Sequence, residues 1–216
     1  MKKTRQKIAN TGRAIALLGA AALSALTGGG CGFPEIKTPT ISGKATVVHP
    51  RQGDSIERVE GFVKNLPYNS DVFLLNEERA RARLSKVRLS AYPLHNNNVG
   101  LGGAVQYVSG SSFRSHHESG PSAYIQGKPT QNSFGKLTGW YFPETNTVDF
   151  YGLLDTKRFY ADVLGAHNTR TKATWVRPGL DYKISKNWSI GVEGKWVGKN
   201  GKLKRDYAGV RAGFRF

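Results

Sequence analysis

In the C-terminal part of the chain, apolar and polar residues alternate in short runs, and the last thirty residues show this most clearly: NWSIGVEGKWVGKNGKLKRDYAGVRAGFRF. Trp188, Ile190, Val192, Gly194 and Trp196 share one face of the first run, opposite Ser189, Gly191, Glu193, Lys195 and Val197. Ala208, Val210, Ala212, Phe214 and Phe216 share a face of the second, opposite Tyr207, Gly209, Arg211, Gly213 and Arg215. Side chains alternate across a strand with period two, so each run predicts a strand with one apolar and one polar face. A loop rich in Gly and Lys, residues 199 to 205, joins them. Folding the hairpin about Lys202 sets Glu193 opposite Arg211, Val192 opposite Ala212, Ile190 opposite Phe214 and Trp188 opposite Phe216. That register matches apolar with apolar and acid with base, and a one-residue slip destroys both matches.

Alternation alone does not say which face meets water. A soluble barrel turns its apolar face inward; a membrane barrel turns it toward lipid. Three features favour lipid. The apolar series ends on the aromatic Phe216, aromatics gather toward the strand ends, and the polar face is small and paired. In these residues the chain resembles the small outer-membrane β-barrel proteins of Gram-negative bacteria, over about residues 86–216. The resemblance implies an antiparallel up-and-down transmembrane barrel. It also implies that Phe214 and Phe216 form the terminal signal read by a barrel-insertion machinery.

Further strands are predicted upstream. Lys86–Leu94, Val99–Val108, Ala123–Lys128, Lys136–Phe142, Thr147–Leu154, Arg158–Gly165 and Lys172–Ile184 precede the hairpin, with HNNN, PETN and SKN as turns. Residues 109–122 read as a long polar loop, and Pro178 interrupts one ladder. This makes about nine strands. A bacterial barrel with both ends in the periplasm needs an even number, so the expectation is eight to ten. So few strands leave a lumen filled by side chains, which argues against a wide diffusion pore. If Phe216 is periplasmic, then 185–187, 156–157, 129–135 and HNNN lie at the same end. Residues 199–205, 167–171, 144–146 and 109–120 then face outward.

Composition supports an all-β chain: 26 glycines and 23 aromatics in 216 residues. Mean hydropathy is −0.44. No run outside the leader is long and apolar enough for a membrane helix. The leader is residues 1–30, in which Lys2, Lys3, Arg5, Lys7 and Arg13 precede an apolar core, Ala14–Leu26, and then small residues. That order reads as a cleaved signal peptide. Cys31, the single cysteine, excludes an intrachain disulfide and sits where a lipoprotein would be lipidated; plain cleavage nearby is the alternative. The formal net charge is +17, five of it in the leader. For an exported barrel, such a surface points to lipopolysaccharide or an anionic membrane rather than to nucleic acid. Residues 31–85 read as a Pro- and Thr-rich linker followed by possible short strands at KATVVH, ERVEGFVK and DVFLL. NEERARARLSK fits either a helical turn or the start of a long strand.

Candidate chemistry is sparse. His116, His117, Glu118 and Ser119 supply the residue types of an acyl-transfer set, although neighbours in one loop rarely build a triad. His116, His117 and His167 lack metal-ligand spacing, so no metal site is expected, nor any cofactor. Glu193, Arg211, Lys195, Asp149, Asp162 and Arg215 read as lumen charges. They serve either ion selectivity or, more commonly in a narrow barrel, an internal salt-bridge network. Lys199, Lys202, Lys204 and Arg205 form a compact basic loop beside Trp196 that suits lipid phosphates. The reading is an exported outer-membrane barrel with a structural or surface-interaction role through basic outward loops. Its alternatives are a soluble lipocalin-like periplasmic lipoprotein with a hydrophobic ligand and a barrel enzyme that modifies membrane lipid.

Overall fold

The computed structural model describes residues 40–48, 56–66, 69–79, 82–111 and 113–215. The expected leader, Cys31 and Phe216 lie outside them. Twelve antiparallel strands close into one barrel. They are β1 Thr40–Val48, β2 Ile56–Leu66, β3 Ser70–Arg79, β4 Ala82–His95, β5 Val99–Gly110 and β6 Phe113–Gly127. They continue with β7 Ser133–Phe142, β8 Thr147–Thr156, β9 Phe159–Asn168, β10 Ala173–Lys183, β11 Trp188–Lys199 and β12 Lys202–Arg215. Each strand pairs with its sequence neighbours, and β1 pairs with β12 to close the ring, from Ser42 opposite Arg215 to Val47 opposite Val210.

The count of eight to ten is corrected to twelve. The nine expected strands correspond to β4–β12, and β1–β3 come from the stretch assigned to a linker and N-terminal segment, where KATVVH, ERVEGFVK and DVFLL read as possible short strands outside the barrel. The barrel therefore begins at Thr40 rather than near residue 86. NEERARARLSK is neither a helical turn nor one strand. Its two ends belong to β3 and β4, where Glu78 faces Arg83 and Arg79 faces Ala82. Residues 113–122 are strand rather than loop. Outward positions such as His117 and Ser119 near the rim are not apolar, so the alternation that marks a strand deeper in lipid is missing there.

The terminal hairpin forms with a register two residues from the expected one. Trp188 faces Phe214, Ile190 faces Ala212, Gly191 faces Arg211 and Glu193 faces Gly209. The cause is the turn. Asn200 and Gly201 both have positive φ (53° and 78°), the signature of a two-residue hairpin turn that Asn-Gly favours. That turn sets Lys199 opposite Lys202, and a bulge at Lys195/Trp196 takes up one further residue. A shift of two keeps every side chain on its face, so the facial assignment stands while the partners change. Pro178 acts as expected: the β10–β11 ladder passes from Val176–Trp196 to Gly179–Glu193 without it. Pro93 likewise falls in the irregular part of the β4–β5 ladder.

The wall has the polarity of a barrel in lipid. Val192 (59%), Ile190, Val105, Leu101 and Leu137 are exposed on the outside, whereas Arg58 (1%), Arg88, Gln106 and Asp181 are buried within. A soluble barrel with an apolar interior, as the lipocalin-like alternative requires, has the opposite arrangement. Val192→Arg places a charge on the lipid face at mid-strand. Unfolding from lipid vesicles, followed by the heat-dependent gel shift, should show a loss of about 2–4 kcal/mol. An unchanged midpoint would mean that this face does not meet lipid.

Candidate functional site

The lumen holds the side chains that every second wall position turns inward. β12 contributes Arg211, whose Nε and Nη2 donate to the two carboxylate oxygens of Asp181 at 2.7 and 2.8 Å, a bidentate pair. Nη2 also donates to Asp162 at 2.7 Å, and Nη1 lies 3.7 Å from Glu193. Lys44 of β1 also reaches Asp162 and lies 4.0 Å from Asp181. Arg58 of β2 pairs with Glu193, donates to the Tyr207 hydroxyl, and lies 3.1 Å from Glu77. Arg177 of β10 reaches Glu60 of β2. These groups form one ionic cluster on the β1–β2 and β9–β12 side.

A second cluster spans β4 to β8. Arg88 donates twice to Gln106 Oε1, at 2.9 and 2.7 Å, and also to Asp149. Lys86 holds the same Asp149 at 2.7 Å. The Gln106 amide donates to Glu118, whose other oxygen accepts from Thr145 Oγ1 at 2.6 Å. The guanidinium of Arg88 also lies 4.1 Å from the centre of the Trp140 ring.

Between the clusters stands an apolar septum of Phe73, Trp140, Phe142, Tyr151 and Leu164, with Phe62 packed against it. The Phe62 and Tyr151 rings stack at 5.4 Å, and Phe62 lies 4.9 Å from Phe73. β2 and β8 are diametrically opposite in the ring, so this stack crosses the lumen. The cavity beside it, lined by Phe62, Phe73, Arg88 and Tyr151 among others, is about 20 Å³. That is room for about one water. Toward the end away from the chain termini the lumen widens into a cavity of about 270 Å³, lined by residues that include Lys86, Gln106, Glu118, Asp149 and Trp175.

Of the expected lumen charges, Glu193, Arg211, Asp149 and Asp162 lie in these clusters. Lys195 is half-buried, its ammonium 5.5 Å from the Trp175 ring centre. Arg215 sits at the rim, 3.1 Å from Asp155. The expected direct pairing of Glu193 with Arg211 becomes a diagonal contact, because the register moves. His116, His117, Glu118 and Ser119 are successive residues of β6, so their side chains alternate across the wall. His117 lies against Tyr107 outside, while Glu118 is buried inside. His116 lies on the lumen side with its Nε2 3.9 Å from Glu118 Oε1, whereas Ser119 is exposed on the outer face, so alternation separates the hydroxyl from the other two groups. Lys199, Lys202, Lys204 and Arg205 are all exposed, flanking the β11–β12 turn as strand residues rather than in a loop. Phe214 lies on the outer wall, its ring 6.3 Å from that of Trp188.

Sequence reasoning missed Lys44, Arg58, Glu60, Arg88, Arg177 and Asp181, and the Phe62–Tyr151 stack. A signal existed in β2, where Arg58, Glu60, Phe62 and Lys64 occupy alternate positions. Removing one partner of a buried pair strands the others. Arg211→Met takes the bidentate donor from Asp181 and leaves Asp162, Asp181 and Glu193 one buried cation short, with Lys44 alone between the two aspartates, and should cost about 3–5 kcal/mol of stability in denaturant unfolding. Lys195→Met, with no carboxylate within ion-pair distance among the described residues, should cost under about 1 kcal/mol.

No protein-family model matches the chain, and no curated protein matches it in sequence. Solved structures do match. The KdgM porin shares 15% identity over 82% of this chain and 98% of its own, with a TM-score of 0.54. It has also been solved in complex with disordered oligogalacturonate, with the same TM-score. The Acinetobacter baumannii outer membrane protein Omp33 shares 14% identity over 82% and 97% of the two chains, with a TM-score of 0.50. At such identity the likeness is one of fold: the chain folds as an outer-membrane porin does, in keeping with the resemblance carried by its terminal hairpin.

Proposed function

We propose that this chain is an outer-membrane barrel with its lumen held shut. Its rim, away from the termini, presents a cationic surface to phosphate-bearing envelope lipid. The membrane part of the reading is supported by the apolar outer wall and the porin-like fold. The observation that carries the function is the cluster of exposed cations at one end. Lys199, Lys202, Lys204 and Arg205 flank the β11–β12 turn. The Asn200 amide donates to the Lys172 carbonyl at 3.0 Å, which brings the exposed Arg170 and Lys172 of the neighbouring hairpin alongside. Ammonium and guanidinium groups are strong phosphate donors, and several on one rim bind a polyanion better than any one alone. The lipid would be lipopolysaccharide in the outer leaflet.

A second reading has its own support. The KdgM porin is solved with an acidic oligosaccharide, and cations also stand at the terminal end of this lumen, where Lys136, Lys183 and Arg215 lie with Asp71 and Asp155. On this reading the barrel conducts anionic solutes past a movable septum.

Two measurements separate these readings. Reversing the charge of Lys199, Lys202, Lys204 and Arg205 together should weaken lipopolysaccharide binding by the purified barrel at least about tenfold, and added salt should weaken the unaltered barrel in the same direction. Equal binding by the variant would remove the rim from the function. In planar bilayers the unaltered barrel should show little conductance, and Phe62→Ala with Tyr151→Ala should raise it. Open conductance in the unaltered protein, blocked by an acidic oligosaccharide, would establish the second reading instead.

A further inference from the structure

The cavity in the lumen half away from the termini has two unlike walls. One is polar, with Lys86, Arg88, Gln106, Glu118 and Asp149 at its centre. The other is apolar, with Phe73, Leu75, Leu164 and Trp175. The septum closes it below, since Phe73 and Leu164 line both this cavity and the narrow one at the Phe62–Tyr151 stack. It is therefore a blind cup of about 270 Å³.

Its polar wall is closely paired, and its permanent charges balance, with His116 Nε2 also 3.9 Å from Glu118 Oε1. Lys86 and Arg88 are matched by Asp149 and Glu118, with Gln106 bridging Arg88 to Glu118. Both cations reach the same Asp149 oxygen, Oδ2, so Oδ1 keeps its lone pairs for a further donor. An anion placed here meets two buried carboxylates, and a cation meets an ammonium and a guanidinium. Either disturbs a pairing that costs energy to break. An uncharged ligand adds hydrogen bonds without breaking any. The facing wall then selects for shape: a ring with one apolar face and a rim of hydroxyls sets that face on Trp175 and its hydroxyls on the planar amide and carboxylates. Lys195, 5.5 Å from the Trp175 ring centre, braces the indole.

We infer that this cup binds one small uncharged polyol of the pyranose type. The inference requires the barrel to fold with this lumen, but neither rim binding nor transport.

The test uses the folded barrel in detergent, identified by its heat-dependent gel shift, with calorimetric titration of methyl glucoside, glucuronate and glucosamine. The neutral glycoside should bind saturably, and both charged sugars at least about tenfold more weakly. Trp175→Ala removes the apolar platform. Val108→Trp fills the cup from the cavity-lining position of Val108. Each should lower the affinity at least about tenfold in protein that still shows the gel shift. Three results would overturn the inference: no saturable binding by folded protein, charged sugars binding as well as the neutral one, or full affinity in folded Val108→Trp. Failure of lipopolysaccharide binding with glycoside binding retained would count against the rim alone.

Discussion

The structure depends on one requirement: a chain in hydrocarbon must satisfy every backbone amide and carbonyl within itself. Here the ring of strands does so by closing β1 onto β12, which leaves no edge. Closure fixes which way each side chain points. Apolar positions of the alternation take the outside, because lipid is there, and the charged ones have only the lumen. Placing Arg58, Arg88, Arg177 and Arg211 inside follows from the wall.

The lumen then becomes a problem of pairing. Isolated buried charges cost several kcal/mol each, so the arginines and lysines must find carboxylates within reach. Twelve strands make a wider ring than eight, and neighbours on one wall do not suffice. The long arms of Arg177, Lys44 and Arg88 cross to Glu60, Asp162 and Asp149 on other parts of the ring. What the ionic clusters do not fill, the septum of Phe62, Phe73, Tyr151 and Leu164 does. The lumen is thus divided into a narrow waist and a roomier half away from the termini, and each mouth keeps cations.

Much of this was readable in the residues, where lipid writes a clear pattern. From Lys86 on, most outward positions are apolar, and each of the nine strands could be placed, β6 only over its last residues because His117 and Ser119 point outward in its first half. The terminal hairpin showed its faces correctly because period two survives a register shift of two. Its partners were misplaced because the charge match of Glu193 with Arg211 outweighed the Asn200-Gly201 turn, whose backbone preference sets the register. β1–β3 showed only as short strand-like runs, and their length and place in the barrel were obscure for another reason. Their inward residues include Lys44, Arg58, Glu60 and Glu77, and their outward ones are interrupted by glycine and short polar side chains. The septum could not be read at all, since Phe62 and Tyr151 lie far apart in sequence and meet only because the ring closes with them opposite.

Closure also has a consequence in time. β1 holds Thr46 and β12 holds Arg211, yet these pair directly. The seam joins the first described strand to the last, so it cannot be sealed until β12 is in place. Until then, both edges offer unpaired hydrogen-bonding groups to any other strand nearby. Contacts between such distant parts of a chain form slowly, because the loop they close must first be brought together. Most of the hairpins can assemble locally in any order, but the ring as a whole exists only from the moment its two ends meet. A host must therefore protect the open edges of this chain for as long as that meeting takes.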